Sequence, residues 1–308
     1  MKGLAILTVP LCCLIAVLTS IQARAQTPLY VGVLEDINST GNFTITDRLH
    51  VRVAFQKKNK DWIPMKSDFN TQDALTSVDR FYPKTVNWTV VFEGKKIGEI
   101  SSKSPGPLNW YADVGKQIIS TSAKDVPKIT KEVSAFSYQP GPAKTRPLLL
   151  VSIPNFKDPD HWKPTALSAA EKRLAISNFR TQFPSLEQCD QPEEQPIHMV
   201  PYSDDEILFI QSYRSKNDSV VFGMRLDEAR SNCGFFDDEH FFDYWYALNK
   251  DQNVRLLGSQ MTPVDAADLD NSGKSAWVFH TSRGDNEDGY ELFYDDLSKK
   301  AYFHWNYH

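Results

Sequence analysis

The sequence lacks the short motifs by which common enzymes are recognised. It has no G-x-S-x-G nucleophile elbow, no S-x-x-K with its companions, no H-E-x-x-H, no Walker loop and no G-x-G-x-x-G. These absences lower the expectation of the usual hydrolases and nucleotide enzymes. They leave room for an active site assembled from scattered carboxylates, as in glycosidases. Positive charge is also in deficit: 34 Lys and Arg stand against 39 Asp and Glu, a formal charge of −5. Such a surface repels phosphate backbones, so nucleic acid is not an expected partner. Aromatic residues are not scarce. At 12% of the chain they suffice for packed cores and argue against disorder.

Long apolar runs occur in one place only. Lys2 precedes a run from Leu4 to Leu18, and Ala23-Arg24-Ala25 comes before Gln26. A charged start, an apolar middle and a small-x-small end predict a secretory signal over 1–25, with a secreted or periplasmic product. The residues before Cys12 and Cys13, Val9-Pro10-Leu11, lack the small side chains expected ahead of a lipidated cysteine. No other segment is apolar enough for a membrane span. Losing Lys2 and Arg24 takes the formal charge from −5 to −7. Of four cysteines, Cys189 and Cys233 would remain. In an oxidising compartment such a pair predicts a disulfide, worth roughly 4 kcal/mol in the chain-entropy account.

The chain then reads as extended segments separated by polar turns. Val51, Val53 and Phe55 alternate with Arg52, Ala54 and Gln56, the period of a half-buried strand. Lys57 to Asp61 is a charged turn. Trp88, Val90 and Phe92 share a face, Glu93-Gly94-Lys95 turns, and Lys96 to Ser101 returns as a hairpin partner. Residues 26–126 are expected to form an N-terminal β-sandwich or barrel-like domain. Pro127, Pro140, Pro142 and Pro147 mark a linker over 127–147. Residues 148–308 are expected to form a second, antiparallel β domain. It begins with the apolar run Leu148 to Ile153 and carries one amphipathic helix near 166–183. Ser168 and Glu171 form its capping box, Ala169, Ile176, Phe179 and Phe183 its apolar face, and Pro184 its stop. Hairpins follow, including the aromatic stretch in which Tyr244 and Tyr246 face opposite to Trp245.

The acidic loop DLDNSGK carries the one candidate metal site. Asp268, Asp270 and Ser272 stand at positions one, three and five, with Gly273 at six. Calcium needs several converging oxygens, and side chains two apart in a tight loop can supply them. A strand, Ser275 to Thr281, follows the loop where an EF-hand would have a helix. Loop and strand together resemble the FG-GAP or VCBS-type repeats of secreted bacterial proteins and integrin-like propellers. Asp268, Asp270, Gly273 and Lys274 match that pattern, and Gly289 to His308 resembles the end of such chains. The resemblance implies propeller-blade-like β architecture and no particular activity. Ser272 and Ala276 depart from it, each standing where an acidic residue is usual. The competing expectation is that the aspartates hold the turn through backbone hydrogen bonds.

Other candidates are Arg283-Gly284-Asp285 in a turn, the acidic stretches Asp237-Asp238-Glu239-His240 and Asp204-Asp205-Glu206, and the pair His304 and His308. Solvated turns account for most of these. The functional expectation is a secreted non-catalytic binding protein acting on a protein or glycan partner, with calcium the one candidate cofactor. Its alternatives are a carboxylate-based, carbohydrate-active hydrolase and a calcium-dependent adhesion module.

Overall fold

A computed structural model describes residues 28–36, 49–67, 80–103, 106–109, 116–119, 147–189, 197–227, 242–283 and 287–306. The mainly β expectation holds, with one α-helix and antiparallel sheets. The leader over 1–25 and Cys233 lie outside the described residues, as do Gly284, Asp285, the 237–240 stretch and His308. No described helix is long and apolar enough to cross a membrane.

Three sheets are stacked. The first has six strands: Asp61–Pro64 (β3), Leu49–Lys58 (β2), Tyr30–Asp36 (β1), Leu148–Val151 (β8), Thr85–Phe92 (β4) and Lys95–Lys103 (β5), in that spatial order. The charged turn and the Glu93-Gly94 turn both fall where the sequence places them. Gly94 has φ +67°, the left-handed conformation a tight turn asks for, and an added Cβ would sit 2.9 Å from Asp158 Oδ2. The strand β8, which the proline-rich segment assigns to the second domain, instead pairs with both β1 and β4 at the centre of this sheet. Its four residues are all buried, and a strand covered on both faces reads as a continuous apolar run.

The second sheet runs Val254–Ser259 (β15), Tyr244–Leu248 (β14), Val220–Leu226 (β13), Ile207–Arg214 (β12) and Lys163–Pro164 (β9). The third is an up-and-down meander of Met261–Ala267 (β16), Ala276–Arg283 (β17), Glu287–Tyr294 (β18) and Lys299–Asn306 (β19). Its first strand is missed by a period-two reading, because Pro263 and Asp265 interrupt the apolar pattern. Pro263 is tolerated because β16 is an edge strand. Two further hairpins pair Gly106–Asn109 (β6) with Lys116–Ile119 (β7), and Leu186–Cys189 (β10) with Ile197–Val200 (β11).

Alternation along the strands sends side chains to two different cores. Val278, Tyr290, Leu292, Phe303 and Trp305 pack against the first sheet. Trp277, Phe279 and Phe293 pack against Tyr213, Val221 and Trp245 of the second. The second sheet is also two-sided, since Tyr244 and Tyr246 face the helix while Trp245 faces the third sheet. That helix, Ala169–Gln182 (α1), has the predicted capping box: Glu171 N donates to Ser168 Oγ at 3.3 Å and Ser168 N to Glu171 Oε2 at 2.8 Å. Its buried stripe is Ala175 and Phe179, with Ile176 and Phe183 packed beside them. Ala169 is exposed, because the first turn overhangs the sheet's edge.

Candidate functional site

The predicted acidic loop joins β16 to β17 and forms one wall of a cleft. Asp268 is buried, and its carboxylate organises the turn. Oδ1 accepts from the backbone N–H groups of Asp270 at 3.3 Å and Ser272 at 3.0 Å, and Oδ2 accepts from that of Gly273 at 2.8 Å. Gly273 has φ +79°, so the sequence reading of its role holds. Ser272 Oγ also approaches Asp268 Oδ1, at 3.4 Å. Asp270 points away and pairs with Lys57 of β2 at 2.7 Å. Burial pushes the Asp270 carboxyl up, but the Lys57 ammonium and the Ser272 bonds outweigh it and hold it below the usual range. Asp268 thus serves the backbone and Asp270 a lysine. No group of three or more His, Cys, Asp or Glu among the described residues is placed to hold a metal ion.

The opposite wall comes from the first sheet, and the floor is aromatic. The cleft has a volume of about 180 Å³ and is lined by Lys57, Lys60, Trp62, Lys274, Tyr294 and Lys299, with Asp270 and Asp295. Trp62 and Tyr294 are themselves buried. The Lys57 ammonium lies 5.1 Å from the Trp62 ring centre and 5.7 Å from that of Tyr294, within cation–π range. Lys274 pairs with Asp296 at 2.6 Å and Asp295 at 3.4 Å. Lys299 pairs with Asp61 at 3.0 Å and Asp295 at 3.7 Å. These hydrogen bonds raise the pKa of both lysines and lower that of Asp61. Four lysines and four aspartates therefore face one another, and Lys60 alone has no ion pair.

The cleft unites turns separated by most of the chain, so spacing could not reveal it. Its sequence signals were the charged turn Lys57 to Asp61 and the acidic loop, read separately. A second junction lies behind the loop. Asp158 Oδ1 accepts from His161 N at 3.0 Å and Ser275 Oγ at 3.1 Å, and Asp160 Oδ2 accepts from Ser275 N at 2.9 Å. Asp160 Oδ1 accepts from Asn217 Nδ2 at 3.3 Å. Asp265, which the sequence places at the start of a loop, is fully buried in β16 and accepts from Gly94 N at 3.0 Å. These aspartates fasten turns of all three sheets and fix the cleft wall from behind.

The remaining candidates are scattered. Asp204 to Glu206 form an exposed 3-10 turn in which Asp204 pairs with Arg180 at 2.7 Å, the solvated role expected. His304 is on β19, with Nδ1 3.5 Å from Glu287 Oε2. Cys189 ends β10, opposite Ile197. Comparison of the chain with protein-family models, curated proteins and solved structures finds no match.

Proposed function

We propose that the chain is a secreted, non-catalytic binding protein whose cleft takes a hydroxyl-rich glycan unit. The supporting observation is the mutual pairing of the cleft's lysines and aspartates over Trp62 and Tyr294. Paired charges present little net field to a ligand. Each ammonium still has N–H donors to spare, and each carboxylate has spare lone pairs. Alternating donors and acceptors around a small hollow suit a neutral molecule bearing several hydroxyls, and the volume of about 180 Å³ suits one ring better than a drug-sized ligand. The FG-GAP-like repeat remains part of the proposal, supported by the four-stranded meander that the acidic loop enters.

The test is binding to a panel of immobilised neutral and acidic oligosaccharides at low and high salt. The expected result is retention of a neutral glycan with little salt dependence, since no net charge is neutralised. Lys299→Ala and Asp270→Ala should each weaken it. Steep loss with salt would indicate an anionic ligand and overturn the neutral reading. Turnover of a bound glycan, abolished by Asp270→Asn, would replace the binding protein with a hydrolase.

A further inference from the structure

A second, larger hollow opens where the edge strand of the first sheet meets the edge strand of the third. Its volume is about 660 Å³, within the ordinary range for small-molecule sites. Ile63, Pro64, Met65, Phe81 and Phe303 provide its apolar walls. Phe81 is 47% exposed, the largest exposure of any described aromatic side chain among the large hydrophobics. A ring left in water at the mouth of an apolar hollow gains free energy when a ligand covers it.

The wall beside Phe81 is fixed in place. Met65 N donates to Ala54 O at 2.8 Å, and the hydroxyl of the buried Tyr82 donates to Lys66 O at 2.6 Å. Tyr302 and His304 stack at 5.1 Å on the far wall, and the Tyr302 hydroxyl donates to Glu287 behind it. Both walls are therefore set by hydrogen bonds before a ligand arrives, which limits the ordering cost of binding.

The charge of the hollow departs from that of the chain. None of its lining residues is Asp or Glu, although acidic residues exceed basic ones overall. Lys66 stands over the Phe81 ring at 5.3 Å, which places a cation beside the apolar mouth. His304 faces Glu287, so any charge on its ring is answered from behind. An anionic head on the ligand would therefore fall to Lys66.

From this juxtaposition we infer that the hollow between β3 and β19 binds an amphipathic carboxylate, with its apolar body against Phe81 and Phe303 and its head at Lys66. This site is separate from the lysine–aspartate cleft and does not depend on the glycan reading. The probe is 8-anilinonaphthalene-1-sulfonate bound to the full chain, displaced by dodecanoate, 4-phenylbutyrate or the neutral dodecanol. A carboxylate should displace the dye, and dodecanoate should do so about tenfold more effectively than dodecanol, the scale of one charge-assisted hydrogen bond. The two carboxylates distinguish an aliphatic ligand from an aromatic one. Lys66→Gln should erase the preference over dodecanol while apolar binding persists. Phe81→Ala should weaken all three, and Lys60→Ala, in the other cleft, should change nothing. Thermal melts of each variant separate loss of binding from loss of fold. Equal displacement by dodecanoate and dodecanol, no displacement by either carboxylate, or full binding in a folded Phe81→Ala chain would overturn the inference.

Discussion

The two faces of the β16–β19 sheet are packed by different chemistry. Toward the second sheet the contact is aromatic. Trp277 lies 5.1 Å from Trp162, 5.2 Å from Tyr213 and 5.8 Å from Phe279 by ring centres. Phe279 in turn meets Trp245 at 5.3 Å and Phe293 at 5.6 Å. Toward the first sheet the core is largely aliphatic, yet it encloses an ion pair. Arg52 donates to both oxygens of Glu35 at 2.7 and 2.8 Å, stacks 3.7 Å from the Trp305 ring centre, and is 2% exposed. The Tyr290 hydroxyl donates to Glu35 at 2.7 Å, joining positions 255 apart in sequence. One interface is held by shape and dispersion. The other adds hydrogen bonds with a fixed geometry, which tie one strand register to another across the core.

The contrast can be broken most severely at Trp277. Trp277→Ala removes the centre of the aromatic contact and should destabilise by about 4 kcal/mol, read as a lower urea midpoint. A loss below 1 kcal/mol would mean that the second and third sheets do not depend on each other. Arg52→Met leaves Glu35 charged and buried without its partner, and should cost about 3 kcal/mol. Replacing all three ends together, as Glu35→Met, Arg52→Met and Tyr290→Phe, should restore stability to within about 1 kcal/mol of the native chain. A triple variant as weak as Arg52→Met alone would show that the network contributes more than its own desolvation. No equivalent rescue is expected on the aromatic face, where a lost ring leaves a cavity.

The smallest effect is expected at Asp158, where turns of the sheets meet. Burial disfavours its charged form and raises its carboxyl above the usual value, against the bonds from Ser275 and His161. The folded chain thus holds this proton more tightly than the unfolded chain. The penalty is present at neutral pH and fades as pH falls through the raised pKa toward the ordinary carboxylate value. Asp158→Asn keeps an acceptor oxygen and removes the charge. Its melting temperature at pH 7 should equal or slightly exceed the native value, and the difference should shrink toward pH ~4. The group is partly solvated, so the shift is small. Asp270 has the opposite sign: its carboxyl is lowered, and its contribution is lost as pH falls through that lowered value. A marked loss of stability in Asp158→Asn at pH 7 would show that the junction requires the charge.

Local chemistry settled much of the architecture. The alternation around Val51, the Glu93-Gly94 turn, the capping box of α1 and the opposed faces of Tyr244 and Trp245 all act over a few residues, and each was legible from spacing. So was the role of Gly273, because a left-handed turn leaves few other choices. What spacing could not carry was placement. The apolar run at Leu148 announces a buried strand but not its neighbours, and it lies between β1 and β4. The acidic loop shows carboxylates but not the lysine that meets Asp270, because Lys57 arrives from another sheet. Phe81 and Phe303 share a hollow only because two edge strands come together. Backbone propensity and side-chain period are properties of adjacent residues. Strand order, charge pairing and cavities arise when distant segments compete for the same buried surface, and only the folded chain resolves that competition.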